Sequence, residues 1–187
     1  WNSLSSFFKN VALVFSRYSN YFLSGFKTTI LLSFLSVAIG TILGVLIYLL
    51  RTNSSKVSNA IAKAFVEIIR GTPMMVQVFI AFIGGNLLFD FRANGIPIST
   101  AAFILGLIAV TINSGAYVSE IIRSGIESIS KGQIEAGRSL GLSQSLTMRK
   151  IVFPQAVKNI LPALGNEFIT IITVSYTHLR AHETPEH

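Results

Sequence analysis

The sequence contains no cysteine and little charge, and each absence narrows what the chain can do. Only 12% of its 187 residues are charged. Without cysteine, the chain has neither a disulfide framework nor a thiolate site. Its three histidines all lie after residue 177, which leaves the rest of the chain without the usual metal ligand or proton shuttle. The chain also has no Gly-x-x-x-x-Gly-Lys-Ser/Thr loop, so it lacks the phosphate cradle needed to hydrolyse ATP by itself.

Apolar residues dominate what remains. They make up 51% of the chain, and the mean hydropathy is +0.61. The net charge of +7 does not indicate a nucleic-acid-binding protein, because the lysines and arginines cluster between apolar runs instead of forming a basic face. That arrangement is typical of a membrane protein whose basic residues flank its spans. The composition therefore predicts an all-α, polytopic bundle of transmembrane helices.

Four apolar stretches are long enough to be membrane spans or most of one. They cover residues 29–50, 73–89, 103–122 and 155–174. The preceding residues 1–22 mix aromatic, polar and basic side chains, which predicts an amphipathic helix at the membrane interface. Gly40 and Gly44 form a GxxxG pair in the first span, which either allows close helix packing or reflects the general abundance of glycine in membrane helices.

Polar residues inside the apolar stretches are the candidates for a solute pathway, because polar groups at membrane depth are costly and usually face a cavity or the bundle interior. The candidates are Thr72, Asn113, Ser114 and Glu167. Each has a structural alternative: Thr72 follows Gly71 and precedes Pro73 at an expected helix kink, and the others can hydrogen-bond or pair between helices. Arg70 and Glu120 are candidates for a gate or inner mouth, with Glu120 paired to Arg123 or Arg70.

A polar, basic segment at residues 130–154, here called the bracket, separates the last two spans. Ser130 and Gln133 predict a capping box, so a short helix is expected from Lys131. Gly141 predicts a left-handed end to that helix. Ser143 predicts the cap of a second short helix, which is expected to stop before Pro154 because the residue before a proline avoids the α region. Two helices broken at a glycine suit contact with a soluble partner.

The bracket also carries a resemblance to a known family. Glu135-Ala136-Gly137, followed by Gly141, Ile151 and Pro154, resembles the EAA loop of binding-protein-dependent ABC importer permeases. Gly137 stands where that motif usually has alanine. Further similarity to the subgroup that imports polar amino acids lies in Arg70–Pro73, Asn113–Tyr117 and Glu120–Arg123. The resemblance covers roughly Gly25 to Ile172.

The resemblance implies a type-1 ABC transmembrane domain of the MetI-like kind over residues 23–174, with a cytoplasmic coupling loop at 123–154. It implies that the chain is a transport subunit, not an enzyme, and that ATP and Mg²⁺ bind a separate ATPase subunit. The other implied partners are a second permease subunit, an extracytoplasmic amino-acid-binding protein and the lipid bilayer. The coupling residues implied are Glu135, Ala136, Gly137, Gly141, Leu142 and Pro154.

The distribution of basic residues predicts the orientation in the cell membrane. With the N-terminus outside, only Arg92 lies in the outer loop between the second and third spans. The inner flanks then hold Arg51, Lys56, Lys63, Arg70, Arg123, Lys131, Arg138, Arg149 and Lys150. This orientation makes the bracket cytoplasmic.

Two alternatives to an importer subunit stay open at this stage. A passive channel would account for polar-lined spans but would not need the bracket. An inactive truncated fragment is the other, because the family continues into a further span where residues 175–187 read as polar, non-native coil. A membrane enzyme is disfavoured, because no spans carry the nucleophile, metal ligands or acid pair that it would need. The particular amino acid carried is not written in the sequence.

Overall fold

The computed structural model describes residues 2–91 and 93–179, and the described part is helical without strands. Within these residues, seven α-helices and one π-helical segment follow one another. They are α1 (Asn2–Thr52), α2 (Lys56–Gly71), α3 (Met74–Leu88), α4 (Ile98–Glu127), α5 (Lys131–Ser139), α6 (Gln144–Thr147), the π segment (Met148–Val152) and α7 (Phe153–Leu179). The expected all-α bundle is therefore confirmed. The expectation that residues 175–187 form coil is wrong for 175–179, which continue α7, and residues 180–187 lie outside the described residues.

Helix α1 runs for 51 residues without a break. Residues 2–22 of the expected interfacial segment and the expected span 29–50 thus belong to one helix, and residue 1 lies outside the described residues. The sequence explains why α1 is continuous, because no proline occurs before Pro73. Gly25, which lies between the two expected segments, has open space around it. A glycine in a helix interior costs only about 1 kcal/mol relative to alanine, too little to interrupt so long an apolar helix.

Among the described residues, two helices are long and apolar enough to cross a membrane, namely residues 16–52 of α1 and the whole of α4. Helices α2 and α3 meet that standard only as a pair, and their axes turn by 103° between them. Helix α3 alone has 15 residues, about 22 Å at 1.5 Å per residue, short of a hydrocarbon core of about 30 Å. The expected spans 73–89 and 155–174 correspond to α3 and part of α7, and their membrane limits stay predictions.

The centre of the bundle is the contact between α1 and α4. A Cβ atom added to Gly40 would lie 2.6 Å from Ser114 Oγ, and one added to Gly44 would lie 2.7 Å from Val118. From the other side, a Cβ on Gly115 would lie 2.7 Å from Leu43. The GxxxG pair therefore allows close helix packing and does not merely reflect the abundance of glycine in membrane helices.

Helices α1 and α4 run in the same direction, and α7 runs against both. Leu32, Val110 and Ile171 form one buried apolar layer between the three helices. Arg51 contacts Glu120 further along α1 and α4, whereas Ile160 of α7 meets Gly125 near the end of α4. This arrangement brings the start of α7 and the end of α4 together, and the bracket connects them.

Candidate functional site: the bracket and the helix elbow

The first helix of the bracket ends as the sequence predicts. Gly141 has φ +81°, in the left-handed region. The backbone N–H of Gly141 donates to Arg138 O at 3.0 Å, and that of Leu142 donates to Gly137 O at 3.1 Å. These two bonds are the pair that defines a Schellman motif, so the turn after α5 is fixed by hydrogen bonds that satisfy the helix's last carbonyls.

The start of the bracket differs from the expectation in one respect. Helix α5 does begin at Lys131, but the Ser130 side chain makes no capping hydrogen bond, so the predicted capping box is wrong. Gln133 is engaged elsewhere, because its Oε1 accepts a hydrogen bond from Gln155 Nε2 at 2.5 Å. The glutamine therefore joins the bracket to the start of α7 instead of closing the cap.

The second half of the bracket contains a further correction. Ser143 caps α6 as predicted, with its Oγ accepting from Leu146 N at 3.3 Å. The helix does not stop before Pro154, however, and continues through the π segment into α7. Phe153 N donates to Met148 O, a five-residue step. The wider π turn gives the proline ring room where an α-turn would place it against the carbonyl four residues earlier.

The bracket has a buried side and an exposed side. Gly137 is buried, and a Cβ added there would lie 2.7 Å from Ile151. Beneath it, Ile129, Val152 and Ala156 form an apolar cluster. The exposed side carries Glu135, Ala136 and Gly141, with Leu142 half-buried. It also carries Leu140, a leucine 83% exposed that the sequence analysis did not single out.

In the part of the chain that the structure describes, Glu135 is not paired with its neighbours Lys131 or Arg138. Within the described residues the Glu135 carboxylate makes no ion pair or hydrogen bond. Glu135 within α5 and Leu140 at the end of α5 are thus an exposed acidic and an exposed apolar side chain on a segment whose backbone is hydrogen-bonded. Such a surface is suited to contact with another protein, because its groups are accessible while its backbone is fixed.

The second part of the site is the turn between α2 and α3, residues 70–77, here called the elbow. The predicted break at Thr72 and Pro73 is confirmed. Gln77 holds the elbow together: its Nε2 donates to Ile69 O at 2.7 Å and to Thr72 Oγ1 at 2.7 Å. Its Oε1 accepts from Asn113 Nδ2 of α4 at 3.0 Å. Thr72 and Asn113, both candidates from the sequence, are thus joined through a residue that sequence reasoning missed.

An ionic group that we call the guanidinium cluster lies beside the elbow. It consists of Arg51, Arg70, Glu120, Arg123 and Glu127. Glu120 Oε2 accepts from Arg51 Nη1 at 2.7 Å, and Glu120 Oε1 accepts from Arg123 Nε at 2.9 Å. Arg70 is more distant, at 3.8 Å from Glu120 Oε1.

The cluster confirms the expected pairing of Glu120 and adds a partner. The guanidinium of Arg70 also lies over the Tyr117 ring, 5.3 Å from its centroid. Arg51 was not expected there, since it lies 69 residues before Glu120 and on another helix. One carboxylate therefore connects α1, α2 and α4, with Arg123 bridging onward to Glu127.

The remaining pathway candidates lie in one layer of the bundle. Ser114 is fully buried and faces α1 at Gly40, and Glu167 on α7 is 8% exposed. Ser114 lies one turn beyond Val110, and Glu167 one turn before Ile171, on the same helix faces as those packed residues. Because α7 runs against α4, both side chains fall in the layer next to the apolar one. Ser36 of α1 occupies the equivalent position.

This polar layer is unsatisfied within the described residues. The hydroxyls of Ser36 and Ser114 are buried without a hydrogen-bond partner. The Glu167 carboxylate likewise makes no ion pair or side-chain hydrogen bond there. Buried polar groups are normally hydrogen-bonded, so a layer with three unpartnered ones is a candidate for contact with a polar solute or water.

Comparison with known proteins agrees with these features. Residues 36–176 match the family described as "Binding-protein-dependent transport system inner membrane component". The chain is 35% identical over 155 residues to a putative glutamine transport system permease protein of Rickettsia prowazekii, covering 83% of this chain and 68% of that protein. It is 36% identical over 163 residues to a probable glutamine ABC transporter permease protein of Bacillus subtilis, covering 87% and 71%.

Solved structures give the same result. A crystal structure of an amino acid ABC transporter with histidines matches with a TM-score of 0.76 and 44% identity, over 87% of this chain and 72% of that one. An inward-facing structure of the MetNI methionine ABC transporter matches with a TM-score of 0.59 and 21% identity, over 82% and 70%, which supports the fold alone. The chain therefore belongs to the family of inner membrane components of binding-protein-dependent transport systems, as a multi-pass permease of the polar amino acid ABC importer type.

Proposed function

We propose that the bracket is the surface through which a separate ATPase subunit drives amino acid transport by this permease. The exposed Leu140 beside the Schellman turn at Gly141 is the observation that carries the proposal. A large apolar side chain that is 83% exposed on a polar segment is costly in water and is stabilised when a partner covers it. ATP and Mg²⁺ would bind that partner, because this chain has no phosphate-binding loop.

The contacts of the bracket give a route by which its motion would reach the membrane helices. Asn159 Nδ2 of α7 donates to Ser128 Oγ after α4 at 2.8 Å, and Gln155 donates to Gln133 of α5. The apolar cluster around Val152 fills the space between these bonds. A bracket tied to both helices in this way would move with them as a unit, which is the requirement for a two-state transport cycle.

The full assembly in this proposal contains two permease subunits, two ATPase subunits and an extracytoplasmic binding protein. The N-terminus lies outside and the bracket lies in the cytoplasm, as the basic residues favour. The cargo is a polar amino acid, since the two relatives named above are described as a putative and a probable glutamine permease. Thr72, Asn113, Ser114 and Glu167 line the pathway, whereas Arg70 and Glu120 lie at its inner mouth.

Substitution of Gly141 tests the bracket. The residue has a positive φ and nothing lies within 4 Å of an added Cβ, so the expected cost of valine there is backbone strain. We expect Gly141→Val to abolish ATP-driven uptake and Gly141→Asn to retain most of it, because asparagine tolerates the left-handed region. Gly132→Ala, in the preceding helix, is the matched control and should transport normally.

The measurement is uptake of radiolabelled amino acid in cells that express the complete transporter, together with the amount of ATPase that co-purifies with the permease. Loss of both signals in Gly141→Val, with normal membrane insertion, supports the proposal. Normal uptake in Gly141→Val would refute it.

A further inference from the structure

Helix α2 lies across the bundle, in a direction different from that of α1, α3 and α4. Near its start, Ser58 Oγ donates to Leu50 O, and Asn59 Nδ2 donates to Arg51 O at 2.6 Å. Near its end, Arg70 lies beside Glu120 of α4. Because Arg51 and Glu120 contact each other, side chains from both ends of α2 reach the same ionic group of the bundle. The 103° turn at the elbow sets the direction of α2 apart from that of α3.

The side chains of α2 fall into three sets, each on its own edge of the helix. Ala62 and Val66 are buried against α1 and α4. The exposed apolar set, each member more than 60% exposed, is Val57, Ile61 and Ile68. The exposed charged set is Lys56, Lys63, Glu67 and Arg70. At about 100° per residue, the apolar and charged sets lie on nearly opposite edges, with the buried set between them.

A groove between α1 and α2 shows which way the apolar edge points. It has a volume of about 590 Å³, in the range of pockets that hold small ligands. The α2 side is formed by Val57, Ile61 and Phe65, and the α1 side by Leu43, Ile47 and Leu50. Ile47 and Leu43 lie about one and two turns before the end of α1, so the apolar edge of α2 faces back toward the middle of the membrane. The charged edge consequently faces away from it.

We propose that α2 lies in the membrane interface and that this groove binds an acyl chain of an anionic phospholipid from the adjoining leaflet. A helix with one edge toward hydrocarbon, one toward water and one against the bundle has the geometry of an in-plane interfacial helix. Anionic lipid is favoured over zwitterionic lipid because Lys56 and Lys63 lie on the exposed charged edge with only Glu67 opposing them. Each lysine near the headgroups favours anionic lipid by roughly fivefold.

The position of α2 makes bound lipid relevant to the rest of the site. The helix ends at the elbow, and Arg70 on its last turn belongs to the guanidinium cluster. Lipid that fills the groove would hold α2 against α1 from the membrane side. The proposal depends on the depth and lipid contacts of α2 and not on transport, so it can fail while the proposed function stands.

Fluorescence quenching by brominated lipids tests the depth of α2. The sequence has one tryptophan, Trp1, so Trp1→Phe gives a background without tryptophan. Into the full chain in vesicles, Ile61→Trp places a probe on the groove edge and Lys63→Trp places one on the charged edge. With chain-brominated zwitterionic lipid, we expect the probe at 61 to be quenched at least twofold more than the probe at 63. Equal quenching, or an unquenched probe at 61 because a protein covers the groove, would overturn the proposal.

Lipid selectivity is then measured with the probe at 61. Brominated anionic lipid should associate at least fivefold more strongly than brominated zwitterionic lipid, and Lys56→Gln with Lys63→Gln should reduce this preference to below twofold. The matched control removes the same charge elsewhere, by Lys9→Gln with Lys27→Gln, and should leave the preference intact. Native mass spectrometry of the unsubstituted chain, which needs no probe, should show retained anionic lipid that the Lys56/Lys63 variant loses. Retention by that variant would also overturn the proposal.

Discussion

Arg51, in the last turn of α1, donates a hydrogen bond from Nη1 to Oε2 of Glu120 on α4 at 2.7 Å. The two side chains are only 13% and 18% exposed, so the pair lies mostly out of water. Arg70 of α2 and Arg123 of α4 also approach Glu120. Together with Arg51 of α1, three guanidinium groups from three helices therefore face this one carboxylate. Removing it would leave the buried guanidinium of Arg51 without its ionic partner.

Glu120→Gln should therefore destabilise the folded permease substantially. Breaking a buried ion pair from one side costs about 3 kcal/mol, because the remaining charge stays buried without compensation. Glu127→Gln is the control, since Glu127 also pairs with Arg123 but is 61% exposed, and exposed pairs contribute about 0–1 kcal/mol. Thermal unfolding in detergent, followed by loss of the monodisperse peak, measures both. Equal losses in the two variants would show that Glu120 is not the centre of the cluster.

The glycines between α1 and α4 give a prediction about packing. Gly44→Ala would place a methyl group 2.7 Å from Val118, and overpacking of this kind costs about 1–3 kcal/mol. Gly84→Ala in α3 is the matched control, because nothing lies within 4 Å of the new methyl group. Alanine there should be neutral or stabilising by up to about 1 kcal/mol. The same thermal assay separates the two, and a harmless Gly44→Ala would contradict the close approach of the helices.

Gln77 should matter more for the elbow than any other single side chain. Gln77→Leu keeps the approximate size but leaves Asn113 and the carbonyl of Ile69 without their partner. We expect a loss of about 1–3 kcal/mol, the cost of leaving buried polar groups unsatisfied. Asn86→Leu is the control, since within the described residues that amide donates only to Phe82 O of its own helix. If both variants unfold at the same temperature, Gln77 does not hold the elbow to α4.

Local chemistry in the sequence predicted part of the site correctly. Three features depend on only three or four neighbouring residues: the left-handed Gly141, the Ser143 cap and the helix break at Thr72 and Pro73. They could therefore be predicted without tertiary information. The same local rules failed at Ser130 and Pro154. At Ser130 the expected capping partner, Gln133, bonds to Gln155 instead. Before Pro154 a π turn lets the helix continue. Both outcomes depend on how α7 packs against the bracket.

The contacts between distant helices could not be predicted in the same way. Glu120 had nearby candidate partners in Arg123 and Arg70, yet its bond to Arg51 depends on α1 and α4 running in the same direction. Gln77 looked like an ordinary polar residue of a short span, and only the 103° turn brings its amide to Ile69. The function class was predicted from the family resemblance, because no local sequence pattern indicates it alone.

The exposed leucine at the tip of the bracket gives the last prediction. Leu140→Glu changes a side chain that is 83% exposed and should leave the fold intact, because surface substitutions usually alter stability by less than about 0.5 kcal/mol. An ATPase that covers Leu140 would instead have to bury a charge, which costs several kcal/mol, so uptake and ATPase co-purification should fall at least tenfold. Leu88→Glu is the matched control, since Leu88 is 91% exposed at the far end of α3. The two variants together distinguish a contact surface from a general effect of added charge. An equal loss in both would indicate impaired membrane insertion. Unchanged transport in Leu140→Glu would show that the ATPase contact lies away from the tip of the bracket.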